Sequence, residues 1–90
     1  MSPSTVNFQV FEKKMASVID NARSLEEIEA WLRSQQGVKS VQLADYLMKS
    51  NPPQRDFLVE FSMQDGSTVK KIINIFDLGN QQFKFHELCD

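Results

Sequence analysis

The residues able to do chemistry crowd into the last stretch of the chain, His86-Glu87-Leu88-Cys89-Asp90. Imidazole, thiolate and carboxylate are common metal ligands, and a thiolate beside an imidazole is a nucleophile. Structural zinc takes four ligands, as a rule from separated pairs of Cys and His, whereas this chain has one Cys and one His. A catalytic thiol needs a base within hydrogen-bond reach and an electropositive, partly buried pocket. In an extended strand, residues three apart lie about 10 Å from each other and on opposite faces, so His86 and Cys89 are not expected to meet. The segment reads as strand surface ending in a free thiol.

Glu26, Glu27 and Glu29 form a second acidic group. They fall at the start and on the solvent side of a capped helix, where carboxylates suit the helix dipole and solubility. Phe83-Lys84-Phe85-His86 interleaves aromatic and basic side chains, as on sheets that stack single-stranded bases. Lys49, Arg55, Lys70 and Lys71 would add charge. Single-stranded nucleic-acid binding through the last two strands is therefore the alternative functional reading. Against it, Phe83 and Phe85 fall on the face expected to meet the helices, and no glycine-flanked RNA motif accompanies them. Met1, Met15, Met48 and Met63 are dispersed, as core filler is. There is no glycine-rich phosphate loop and no nucleophile–base pair. The expectation is a non-catalytic protein with no cofactor and no metal.

Ninety residues suit one domain, 1–90, so small that most apolar side chains must share one core. A hydrophobic fraction of 41%, with seven Phe, can supply it. The net charge of −2 gives no bulk attraction to nucleic acid or to an anionic membrane. A single Cys cannot build a disulfide framework and suits a reducing compartment. With no secretory pattern and no apolar run of spanning length, the expected location is cytoplasmic.

The elements that position these groups are organised around the hairpin Phe57–Phe76. Phe57, Val59, Phe61 and Met63 alternate with Leu58, Glu60 and Ser62, the period of a strand with one apolar face. Asp65-Gly66 supplies the turn, and Thr68–Phe76 is rich in β-branched residues. A two-residue turn would place Phe61 opposite Lys70. A three-residue loop with Gly66 left-handed in a bulge places Phe61 opposite Val69 and Phe57 opposite Ile73. The second register gathers Phe57, Phe61, Met63, Val69, Ile73 and Ile75 on one face, with Lys71 the misfit, and it is preferred. The other face then carries Leu58, Glu60, Ser62, Lys70, Ile72, Asn74 and Phe76. It is mixed rather than polar, which is unusual for an antiparallel sheet open to water.

Before the hairpin, Phe8, Phe11, Met15, Val18, Ile19 and Ala22 recur at helical spacing within Pro3–Ala22. Ser4 or Thr5 is the expected N-cap and Asn21 the left-handed stop. The alternation Val6–Val10 would also allow a short strand. Ser24-Leu25-Glu26-Glu27 is a capping box opening a second helix, with Leu25, Ile28, Trp31 and Leu32 as its stripe and Gly37 as its stop. Val38–Ser50 reads as a strand whose phase breaks at Ala44-Asp45, suggesting a bulge there before Tyr46 and Met48. Asn51-Pro52-Pro53-Gln54 ends it. Asp77-Leu78-Gly79-Asn80 is the next turn. Gln82–Leu88 is the last strand, with Phe83 and Phe85 on one face and Lys84, His86 and Leu88 on the other.

Helix, Gly37-Val38, two residues and then Val41 resembles the helix-to-strand junction of ferredoxin-like domains, including heavy-metal-associated domains. The Cys-x-x-Cys loop of those metal binders has no counterpart in this chain, nor does a second crossover helix, so neither metal binding nor the full fold carries over. The expected architecture is α+β: two N-terminal helices on one face of a four-stranded antiparallel meander, α-α-β-β-β-β. The expected function is a small protein-interaction module, an adaptor, accessory subunit or regulator, binding another protein or a second copy of itself. Its contact surface would be the sheet face away from the helices, at Leu58, Glu60, Lys70, Ile72 and Phe76. The competing expectation is that the N-terminal segment crosses over and buries that face within the monomer.

Overall fold

The computed structural model of the protein describes residues 6–45 and 49–90. In chain order they form α1 (Phe8–Asn21), α2 (Leu25–Ser34), β1 (Val38–Asp45), β2 (Gln54–Ser62), β3 (Thr68–Gly79) and β4 (Gln82–Cys89). The strands are antiparallel in the order β1-β2-β3-β4, the expected meander. Both helices pack on one side, α1 over β4 and α2 over β1.

The central hairpin takes the bulged register. Phe61 pairs with Val69 and Phe57 with Ile73. The Met63 N–H donates to the Ser67 carbonyl at 2.8 Å and the Gly66 N–H to the Met63 carbonyl at 3.0 Å. Gly66 has φ +89°, a conformation that costs a residue with a Cβ. Asp65 Oδ1 accepts from both the backbone N–H (2.9 Å) and the hydroxyl (2.6 Å) of Ser67. These bonds hold the Asp65 carboxyl below its ordinary pKa.

The core lies between the helices and the odd-numbered residues of the hairpin. Met15, Ile19, Ile28, Leu32, Phe57, Phe61, Ile73 and Ile75 are fully buried, each burial worth about 1.5–3 kcal/mol. Phe61 packs at right angles to two α1 rings, Phe8 at 5.1 Å and Phe11 at 5.2 Å, and Phe11 stacks on Trp31 at 5.7 Å. Leu25 is only partly buried at the margin of this core. Lys71, the misfit on the apolar face, sets its ammonium 4.9 Å from the Phe8 ring centroid and pairs with the Asp90 carboxylate. A cation over an aromatic face keeps part of its electrostatic stabilisation there.

Several local expectations need correction. Helix α1 starts after Asn7, whose Oδ1 accepts from the N–H groups of Gln9 (3.1 Å) and Val10 (3.2 Å). Ser4 and Thr5 lie outside the described residues. The strand reading of Val6–Val10 fails because Phe8 already belongs to the helix. Asn21 is not left-handed; α1 stops at Ala22 in extended conformation, and the Asn21 side chain instead donates to the Ser17 carbonyl. In α2 the Glu27 N–H donates to Ser24 Oγ at 3.1 Å, as the capping box requires, but the Glu27 carboxylate reaches back one residue further, accepting from the Arg23 N–H. The helix ends at Ser34, and Gly37, with φ +88°, serves the turn that follows, closed by the Val38 N–H on the Gln35 carbonyl.

Strand β1 is regular through Ala44 and Asp45; its irregularity lies between Val38 and Ser40. Tyr46 and Met48, which carry the expected phase break, lie outside the described residues. Strand β3 runs on to Gly79, beyond the expected turn at Asp77. The chain reverses instead at Asn80 (φ 54°) and Gln81 (φ 59°), two left-handed residues as in a type I′ hairpin turn. Opposite β3, Asn74 pairs with Glu87 and Ile75 with Phe85, so His86 is the extra residue of a bulge. That bulge reverses the phase of the strand end. Leu88 pairs with Ile73 and joins the core margin, where uninterrupted alternation would have turned it away.

Each edge strand is engaged by a side chain from a helix. Arg33 Nη2 of α2, whose Nε is paired with Glu29 at 2.9 Å, donates to the Val41 carbonyl of β1 at 2.8 Å. Asp20 Oδ1 of α1 accepts from the Phe85 N–H of β4 at 3.2 Å.

Candidate interaction face

The sheet face away from the helices is built from alternate residues of all four strands, and pairing arranges them in rows across the sheet. One row reads Gln42, Leu58, Ile72, Cys89; the next reads Ser40, Glu60, Lys70; on the other side come Ala44, Asp56, Asn74, Glu87. Leu58 and Ile72 are thus direct cross-strand neighbours. Leu58 keeps 37% of its surface exposed, and Ile72 is half-buried. No described element lies over them. They floor a shallow depression of about 430 Å³ rimmed by Ser40, Gln42, Glu60 and Lys70, with the paired Lys71 and Asp90 at its margin.

Glu60 is fixed from one side by the Ser40 hydroxyl, which donates to Oε1 at 2.7 Å. That bond lowers the Glu60 pKa; desolvation opposes it, and the Lys70 and Lys39 ammonium groups lower it further. The carboxylate is therefore charged throughout the neutral range, directly across the ladder from Lys70.

Of the sequence-predicted contact residues, Leu58, Glu60, Lys70 and Ile72 come together. Phe76 stands on the same face but apart. Asn74 lies between it and Ile72, 4% exposed, donating through Nδ2 to Asp56 Oδ1 at 2.8 Å, and its Oδ1 is buried without a partner among the described residues. The Phe76 ring packs on His86 at 4.6 Å. Sequence reasoning overlooked Ser40, Gln42 and His86. Ser40 and Gln42 were legible as the polar alternates of Val41 and Leu43. His86 depended on the bulge in β4.

The bulge also corrects the expected separation of His86 and Cys89. Both fall on the open face, His86 against Phe76 and Cys89 beside Ile72, still at separate rows of the ladder. The Cys89 thiol donates to the Ile72 carbonyl at 3.6 Å. Burial pushes its pKa up, with the Glu87, Asp56 and Asp90 carboxylates acting in the same direction, so the thiolate is scarce at neutral pH. No group of three metal-ligating side chains occurs among the described residues. Phe83 is buried and Phe85 half-buried against the helices, so neither ring is presented for base stacking. Among the described residues no helix is long and apolar enough to cross a membrane.

No protein-family model, curated protein or solved structure matches this chain.

Proposed function

We propose that the protein is a non-catalytic interaction module that binds a protein partner through the sheet face away from its helices. The observation that supports this reading is the Leu58–Ile72 pair at the centre of that face, apolar, uncovered by any described element and rimmed by Ser40, Glu60 and Lys70. An apolar centre inside a polar rim is the usual anatomy of an interface. The exposed part of Leu58 and Ile72, desolvated by a partner, supplies affinity; Glu60, pinned by Ser40, supplies orientation at little further entropic cost. The expected cytoplasmic location and the adaptor, accessory or regulatory role are part of the same proposal.

Ile72→Glu tests it. A carboxylate at the centre of the depression should leave the circular dichroism spectrum and urea midpoint close to wild type. It should abolish capture of the stoichiometric partner recovered by affinity purification from the native cell. If the variant instead unfolds a protein that is monomeric by light scattering, the face belongs to the folded monomer and the reading is wrong.

A further inference from the structure

Resting on the reading above, we infer that the occupant of the open face is a second copy of this chain, packed sheet on sheet about a two-fold axis parallel to the strands between β2 and β3. Such an interface is isologous, so every group must be matched by a group on the same surface. The rows of the sheet meet that condition. Rotation about this axis lays β2 of one copy on β3 of the other, and cross-strand partners exchange places. Leu58 then stands over Ile72 of the second copy, and Glu60 over Lys70 of the second copy, each contact made twice because Leu58 pairs with Ile72 and Glu60 with Lys70 in the chain itself. The four apolar side chains fill the centre, where facing sheets lie about 10 Å apart. The four charges alternate in sign beside them.

The charge pattern favours this occupant over others. Asp56, Glu60 and Glu87 share the face with Lys70 and Lys84, so a partner of one sign would be repelled by nearly half of it, whereas a second copy sets Lys70 over Glu60 beside the apolar centre and places Asp56 over Asn74 and Glu87 over Ala44, with no like charges opposed in these rows. The other routes to self-association are less open: helices cover the opposite face, and Arg33 and Asp20 each occupy one backbone group of an edge strand. The size also suits. Strands about 4.8 Å apart and eight residues long at about 3.3 Å each give a projected face of roughly 500 Å² per copy, which with side-chain relief reaches the lower range of specific interfaces, roughly 1,200 Å² in total. The dimer is accordingly reversible and concentration-dependent.

The test is sedimentation equilibrium of the full chain from micromolar to millimolar concentration, with Glu60→Lys, Lys70→Glu and the double exchange. Wild type should pass from monomer to dimer. Each single reversal places like charges opposite one another and should raise the dissociation constant about tenfold or more. The double exchange restores alternation and should return it to near wild type, with circular dichroism confirming that every variant is folded. A wild type that stays monomeric to millimolar concentration overturns the inference, as does a higher oligomer, or a dimer that the single reversals leave unchanged or the double exchange does not rescue. A monomeric wild type whose Ile72→Glu variant is folded and loses its partner refutes the dimer and leaves the interaction module standing. An Ile72→Glu variant that unfolds refutes both.

Discussion

Two glycines show how far a single residue can be read. Gly66 sits at φ +89° in open space, with no atom within 4 Å of a Cβ built on it. Gly37 has nearly the same φ, +88°, but its Cβ would stand 2.8 Å from Cγ2 of Val6. Alanine at position 66 should therefore cost about 1 kcal/mol from backbone strain alone. Alanine at position 37 should cost distinctly more, because Val6 must also move. Urea denaturation of both variants checks this, and equal losses would mean that Val6 gives way freely. The Asp-Gly signal made the first site legible in the sequence. The second has two reasons for glycine, and only the turn could be foreseen, since the approach of Val6 depends on how the chain before α1 folds back. Lys71 is a similar case: a charge on an apolar face looks like an error until the Phe8 ring and Asp90 are seen beside it.

At the level of elements, periodicity placed both helices and all four strands, and the capping box fixed the start of α2 at Ser24. The start of α1 was harder, because Ser4, Thr5 and Asn7 are all good caps and nothing local ranks them. Bulges were harder still. In β4 the evidence lay in the apolar phase, which is odd at Phe83 and Phe85 and even at Leu88, but His86-Glu87 are polar and give no local mark. In β1 the bulge expected at Ala44-Asp45 is absent, and the irregularity lies between Val38 and Ser40. The docking of α2 over β1 rests on Ile28 and Leu32, both without exposed surface. Leu32→Ala should lower stability by about 2–5 kcal/mol, the range for truncating a packed leucine, measured as the shift in urea midpoint at unchanged slope. A loss below about 0.5 kcal/mol, the ordinary effect of a surface substitution, would mean that α2 is not held there.

For the whole molecule, the sheet was legible as a meander with both helices on one side, because short connections leave few other topologies. The open face was legible as mixed, but its division was not. Asn74 separates Phe76 from the Leu58–Ile72 pair, and the burial of Asn74 follows from its neighbours across strands rather than from its place in the chain. The edges were not legible: Asp20 reaches β4 from a helix 65 residues earlier in the chain, and Arg33 reaches β1 only through the way α2 docks over it. Unpaired edge groups are templates for strand addition, and proteins block them by such devices. Asp20→Ala with Arg33→Ala should leave the fold intact by circular dichroism and shorten the lag before aggregation at elevated temperature. An unchanged lag would mean that the two side chains do not guard the edges. The blocked edges also set the valence of the molecule. With one side of the sheet under helices and both margins engaged, one broad surface is left among the described residues, and on the proposed reading an assembly that takes up this chain gains an end rather than a link: it would be completed by the protein, in fixed stoichiometry, but not extended through it.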